Sequence, residues 1–311
     1  MQNRNRVIAL LLPFLLAAFV ACGQADGDGG TPQDGTPQSE DSFDEATARE
    51  HEGDRPEPGA AADAEPAAPV SAEEVAYAAL DGREVTGYFA RPEGAEGPLP
   101  GLLVIHEWWG LNDNIRTMTE RLAGEGYAAL AVDLYGGETA ESPERARELV
   151  QTVDEEQALR NLEAARGFLG ERLGADGTGA GGPVGVIGWC FGGGWSLQTA
   201  LAMPEAVDAA VVYYGRPVTE RQELAELQAP LLGIFGAEDG SIPVETVRQM
   251  ESTLGALGKP VEIHVYEGAG HAFANPSGTR YVPDAAEDAW SETVEFLDRH
   301  LESRTAAPAG A

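Results

Sequence analysis

Val184-Gly185-Val186-Ile187-Gly188-Trp189-Cys190-Phe191-Gly192-Gly193-Gly194 joins a strand pattern to a helical one through a single cysteine. It opens on a short apolar run of the kind buried on both faces of a sheet, and a helical stretch follows from Gly193 to Ala202. A cysteine sits at the joint with a glycine two positions away on either side, a G-x-C-x-G version of the nucleophile elbow usually written G-x-S-x-G. Glycines there let the chain turn tightly from strand to helix and keep side chains away from the nucleophile. The start of the following helix points free N–H groups and its positive dipole end at the sulfur, which favours thiolate. The same glycines give neither a P-loop, which needs a lysine, nor G-x-G-x-x-G. Taken alone, the motif also fits a buried structural cysteine in a glycine-rich turn.

Outward from the elbow, short apolar runs alternate with amphipathic stretches. Leu102–Ile105, Ala128–Val132, Val184–Ile187, Ala209–Tyr213, Leu231–Phe235 and Val261–Val265 read as strands buried on both faces. Helical periodicity covers 112–124, Pro143–Arg172, 193–202, 219–227, 243–257 and 284–301. Val75–Leu80 and Glu84–Ala90, joined by Asp81-Gly82-Arg83, predict an opening hairpin. The pattern predicts a mostly parallel central sheet with helices on both faces, in which active sites gather at the carboxyl ends of the strands.

Two strand ends carry the partners a cysteine nucleophile needs. Leu231–Phe235 leads into Gly236-Ala237-Glu238-Asp239-Gly240, and Val261–Val265 leads to Glu267-Gly268-Ala269-Gly270-His271-Ala272-Phe273. Nucleophile, acid and base in the order Cys190, Asp239, His271 is the chain order of α/β-hydrolases. Glu238 reads as a solvated loop charge. Of the other histidines, His51 falls in an amino-terminal tail, His264 within a strand and His300 in the last turn of a helix. A further carboxylate, Glu107, follows Leu102–Ile105 in His106-Glu107-Trp108-Trp109-Gly110-Leu111-Asn112, where this fold supplies its second oxyanion donor.

With these residues in view, the sequence resembles the dienelactone hydrolase family. The resemblance rests on Glu107–Asn112, Asp133-Leu134-Tyr135-Gly136-Gly137, the cysteine elbow, the Asp239 loop and Gly270-His271-Ala272-Phe273 ahead of a final helix containing Trp290, and it spans residues 71–303. It implies the α/β-hydrolase fold, a Cys190–His271–Asp239 triad, and Glu107 in contact with the resting thiol. It further implies backbone N–H groups of Trp108 and Phe191 as the oxyanion hole, and hydrolysis of a carboxylic ester or lactone through an acyl-thioester. Tyr135, Tyr213, Tyr214 and Phe273 are candidate pocket residues. Family members acting on dienelactones hold the substrate carboxylate with two arginines, at positions that here carry Gly137 and Asn275. The resemblance therefore points to a small-molecule ester or lactone and away from dienelactone itself, with Arg216 and Arg280 as candidate substitutes. A ligand-binding surface lipoprotein on the same fold, or an acyltransferase, would use the same residues.

The remaining sequence concerns address and surface. Arg4 and Arg6 precede an apolar run from Val7 to Ala21, short of the roughly 20 residues that span a bilayer. Phe19-Val20-Ala21-Cys22-Gly23 resembles a bacterial lipobox, which makes 1–22 a lipoprotein-type signal peptide and Cys22 the lipid attachment site of an exported protein. Residues 23–70 carry 13 acids and 2 bases with almost no large apolar residue, the composition of a disordered acidic linker. The domain follows over 71–304, and 305–311 reads as a disordered tail. The net charge of −32 opposes binding to nucleic acid or to anionic lipid surfaces, leaving the anchor on Cys22 as the expected membrane contact. With Cys22 and Cys190 the only two cysteines, neither a disulfide framework nor a Cys-rich zinc site is expected, and no cofactor motif is present.

Overall fold

A computed structural model of the chain describes residues 40–52, 56, 65–95, 98–173 and 182–302. The signal segment with Cys22, most of the acidic linker and the tail 305–311 lie outside the described residues. Among the described residues, no helix is long and apolar enough to cross a membrane.

The eight strands are β1 (Val70–Leu80), β2 (Arg83–Pro92), β3 (Gly101–Ile105), β4 (Ala128–Val132), β5 (Val184–Trp189), β6 (Ala209–Tyr213), β7 (Leu231–Gly236) and β8 (Val261–Tyr266). They form one sheet in the order β1-β2-β4-β3-β5-β6-β7-β8. The opening hairpin pairs antiparallel, β2 pairs antiparallel with β4, and every pairing from β4 through to β8 is parallel. This is the α/β-hydrolase-type sheet expected from the sequence. The five central strands β3–β7 are buried along their whole length, which is why they read as unbroken apolar runs.

β8 departs from the expectation of burial on both faces. It is the edge strand, half-buried throughout, and its polar positions pair outward: Glu262 with Arg299 at 2.5 Å and His264 with Glu292 at 3.8 Å. Charged side chains on an edge strand protect its open hydrogen-bonding rim.

The helices are α1 (Glu40–Glu50), α2 (Asp113–Gly124), α3 (Pro143–Thr152), α4 (Glu155–Leu173), α5 (Phe191–Ala202), α6 (Arg221–Leu224), α7 (Val244–Ala256) and α8 (Pro283–Leu297), the last running into a π-helical turn over Asp298–Glu302. The single helix expected over Pro143–Arg172 is two. Val153 leaves the helix in an extended conformation (ψ 113°), and the Asp154 side chain accepts from the backbone N–H of Gln157, capping a new start. A larger difference lies in 23–70, expected without ordered structure: residues 40–50 form α1, and Ala46, Thr47 and His51 are buried against the domain.

Candidate active site

The elbow is built by backbone meeting backbone. Cys190 sits between β5 and α5 at φ 55° and ψ −117°, its N–H bonded to the Tyr213 carbonyl at 3.0 Å. A Cβ on Gly188 would overlap the Gly192 carbonyl, and one on Gly192 would overlap the carbonyls of Ile105 and His106. Glycine is therefore required for α5 to approach the end of β3. Cys190, Tyr214 (φ 34°) and Ala272 (φ 59°) are left-handed non-glycine residues, and all three lie in or beside the site, where the surrounding packing holds such strain.

Loops after β7 and β8 bring the acid and base to this cysteine. The N–H of Ala237 donates to Tyr266 O and that of Glu238 to Ala269 O, each at 2.9 Å, tying the two loops together. Glu238 points to solvent and Asp239 is buried, as the sequence suggests. One Asp239 oxygen faces His271 Nδ1 at 2.7 Å. The other accepts from the Ser241 N–H, the Ser241 hydroxyl and the Ile242 N–H, all at 2.9 Å. His271 Nε2 lies 3.2 Å from Cys190 Sγ.

Burial alone would raise the Asp239 pKa, but the charge of His271 and these hydrogen bonds hold it below the ordinary carboxylate value. Burial would likewise lower the His271 pKa, and Asp239 followed by Cys190 outweighs it, holding the imidazole well above its ordinary value. The site thus favours a protonated His271 between two groups able to carry negative charge.

Glu107 is buried at the end of β3. Its carboxylate accepts from the Asn275 side-chain amide and, at 3.5 Å, from the Tyr214 hydroxyl. Burial first, then the charges of Glu107 and Cys190, push the Tyr214 pKa well above that of a free phenol, so this hydroxyl remains a donor. Asn275, noted in the sequence for the arginine it lacks, is thus the residue that holds Glu107. Tyr135 donates to the Trp108 carbonyl at 3.2 Å. His106 Nε2 accepts from the Leu134 N–H at 3.2 Å, which puts the ring proton on Nδ1, 2.6 Å from Glu107 O. Burial lowers the pKa of that ring, so a neutral imidazole joins the loops after β3 and β4.

Of the four candidate pocket residues, Tyr214 packs its ring 5.4 Å from His271 and Tyr135 packs 5.5 Å from Phe191. Phe273 is wedged between Tyr214 and Tyr266. Tyr213 corrects the expectation. Its hydroxyl meets Ala289 O at 2.9 Å and Thr293 Oγ1 at 2.6 Å, anchoring it to α8 as core packing. Gly137 lies in the turn after β4, its N–H donating to Asp133. Arg280 stands beside the site, with Nε donating to His271 O at 3.2 Å.

The sequence reading passed over one neighbour. His51, at the end of α1, is 2% exposed. Its ring centroid lies 4.5 Å from Trp108 and 5.4 Å from His271. Donor atoms of His51, Cys190 and His271 fall within 4.8 Å of one another, a set a thiophilic metal ion could bridge. The acidic, apolar-poor composition of 23–70 is what reads His51 as part of a tail; no local pattern marks it.

Comparison with known proteins identifies the family. The profile of the Dienelactone hydrolase family matches residues 85–301. Among similar proteins, "Protein usf" of Aquifex pyrophilus is 33% identical over 230 residues, covering 71% of this chain and 96% of that protein. The "Putative carboxymethylenebutenolidase" of Escherichia coli (strain K12) is 34% identical over 233 residues, covering 70% of this chain and 84% of that protein. Among solved structures, the "Putative Dienelactone Hydrolase" of Klebsiella pneumoniae superposes with a TM-score of 0.66 at 32% identity, over 74% of this chain and 99% of the other. A dienelactone hydrolase-like promiscuous phosphotriesterase, P91, from metagenomic libraries gives 0.64 at 27% identity, over 75% and 99%. With the family profile spanning the sheet from β2 to its last turn, this chain belongs to the dienelactone hydrolase family and is a hydrolase.

Proposed function

We propose that the protein hydrolyses a carboxylic ester or lactone through a Cys190–His271–Asp239 triad. The observation that carries this reading is the line Asp239 Oδ2, His271, Cys190 Sγ, with contacts of 2.7 and 3.2 Å at the carboxyl ends of β7, β8 and β5. An unperturbed thiol with pKa about 8.5 is mostly protonated at neutral pH, so attack on a carbonyl needs a proton acceptor at the sulfur. His271 takes that proton, and Asp239 fixes the tautomer and stabilises the imidazolium. Glu107, held by Asn275 and Tyr214, is the carboxylate that the family resemblance sets against the resting thiol.

Sγ forms a bond to the carbonyl carbon, and the carbonyl electrons move to oxygen. The N–H groups of Phe191, at the first turn of α5, and of Trp108, just past β3, are the donors for that oxyanion, worth about 3 to 4 kcal/mol each. Collapse expels the alkoxide, which takes the proton from His271, and leaves an acyl-thioester. His271 then deprotonates a water that attacks the thioester, releasing the acid and restoring the thiol. Cys190→Ala and His271→Ala are expected to abolish hydrolysis of an activated aryl ester, with the burst of alcohol release lost in the first. Unchanged rates in either variant would sink the mechanism.

We further infer that the chain is exported and lipid-anchored at Cys22, with the acidic linker as tether. Mass spectrometry of the mature amino terminus tests this. A diacylated Cys22 supports it, and an unmodified terminus at another residue overturns it.

A further inference from the structure

The nucleophile is roofed by a piece of this chain that lies outside the family match. The profile begins at residue 85, whereas α1 and His51 precede it by more than thirty positions, so neither is part of what the profile matches. Ala48 packs on the cluster formed by Trp108, Trp109, Tyr135, Ala146 and Leu149, and Glu50 reaches over Gly240 in the loop that carries Asp239. The imidazole of His51 lies 34° from the plane of Trp108 at 4.5 Å and edge-on to Trp109 at 5.8 Å. Arg280, fixed to the His271 carbonyl, donates to His51 Nδ1 at 2.9 Å, so a neutral His51 carries its proton on Nε2.

With this segment in place, Cys190 is 3% exposed, His271 0% and Glu107 3%. The cavity beside the His51 ring, lined also by Trp109, Asn275, Ser277 and Arg280, is about 10 Å³, room for about one water and for no ester. A substrate reaches the sulfur only after something leaves. The element with least to hold it is α1: an 11-residue helix is marginal alone, and this one is attached to the sheet through a linker poor in apolar residues.

We propose that the His51 ring holds the place of a planar group of the substrate, and that residues 40–52 form an intramolecular strap that such a group displaces. The chemistry follows from what the ring touches. A flat unsaturated ring against Trp108, within a few ångströms of Cys190 Sγ, occupies the position that an aryl or conjugated acyl group must take to present its carbonyl to the thiol. Offset and edge-on contacts with two indoles reward a planar group over a saturated one of equal size. Being tethered, the strap competes at a high effective concentration, and it raises every apparent binding constant by the inverse of the open fraction. This deepens the proposed hydrolase reading and rests on it for the identity of the nucleophile.

The test uses the full-length mature chain and follows alkylation of Cys190 by iodoacetamide, resolved by peptide mass spectrometry. His51→Ala removes the ring, and Ala48→Glu drives a carboxylate into the aromatic cluster; neither touches the sheet. Both are expected to raise the alkylation rate about tenfold, as for a strap open about a tenth of the time. In His51→Ala, benzamide is expected to protect Cys190 at about one tenth of the concentration needed in the wild type, with cyclohexanecarboxamide protecting less well. Unchanged alkylation in both variants overturns the strap. Equal protection by the planar and saturated amides overturns the planar group. Because alkylation requires no turnover, a chain that opens as predicted yet hydrolyses no ester would overturn the hydrolase reading and leave the strap standing.

Discussion

The elbow at Gly188–Gly194 and the strap at residues 40–52 meet over the same sulfur and are held in different ways. In the elbow, glycine backbone lies against the carbonyls of Ile105, His106, Gly192 and Tyr213, with no side chain free to give. In the strap, side chains lie against side chains: His51 on Trp108, Ala48 on the aromatic cluster, Glu45 toward Arg147 at 3.7 Å. Interfaces of the first kind are close-packed and open only with the whole sheet, whereas those of the second open locally at lower free energy. A reaction that needs a fixed nucleophile and a replaceable cover is served by this division.

The largest effect that would test the fixed half falls on Asp239. Asp239→Asn keeps its shape but offers His271 an amide where a carboxylate stood, so the imidazolium loses its stabilising charge and its tautomer is no longer set. A fall in kcat of about 10⁴-fold is expected for activated esters. Cys190 alkylation should keep the same dependence on His51, since the strap does not rest on that carboxylate. A variant retaining its rate within tenfold would detach the acid from the mechanism.

Next in size is Gly192→Ala. The added methyl meets two main-chain carbonyls that cannot move without shifting β3, so a loss of about 1 to 3 kcal/mol is expected, read as a fall in Tm of roughly 2 to 4 °C per kcal/mol. Ala48→Glu on the strap should leave Tm nearly unchanged while opening the site. If the strap variant lowered Tm as much as the elbow variant, the two regions would belong to one cooperative unit and the contrast between them would fail.

The same contrast separates what the sequence makes legible from what it hides. Cys190 and Asp239 follow apolar runs that only a buried strand explains, and His271 follows the alternating run of β8, so the rule that sites gather at strand ends finds all three from one sequence. The β8 edge is not legible in sequence, because the alternation of Val261, Ile263 and Val265 with polar residues distinguishes an edge only once the strand order is known. Tyr213 is hidden for a similar reason: the last residue of a strand can face either side, and here Thr293 and the Ala289 carbonyl on α8 claim its hydroxyl. α1 was invisible on other grounds. Glu40–Glu50 has the composition of a solvated segment, and what orders it is a surface of Trp108, Trp109 and Tyr135 formed some sixty residues or more later in the chain.

The weakest contact of the strap is an ion pair at its outer side. Glu45 and Arg147 form an ion pair at 3.7 Å with side chains 56% and 42% exposed, so water and salt screen it and each side chain gives up rotamer freedom to make it. Arg147→Ala should weaken docking by no more than about 0.5 kcal/mol, which is about a twofold rise in Cys190 alkylation at low salt and none at about 1 M salt, where the Debye length is about 3 Å. His51→Ala should keep its larger effect in both conditions, because ring contacts do not depend on ionic strength. Equal responses of the two variants, vanishing together in high salt, would mean that charge and not stacking seats the strap. On a chain of net charge −32, it would also make ionic strength, rather than a planar substrate, the signal that uncovers the thiol.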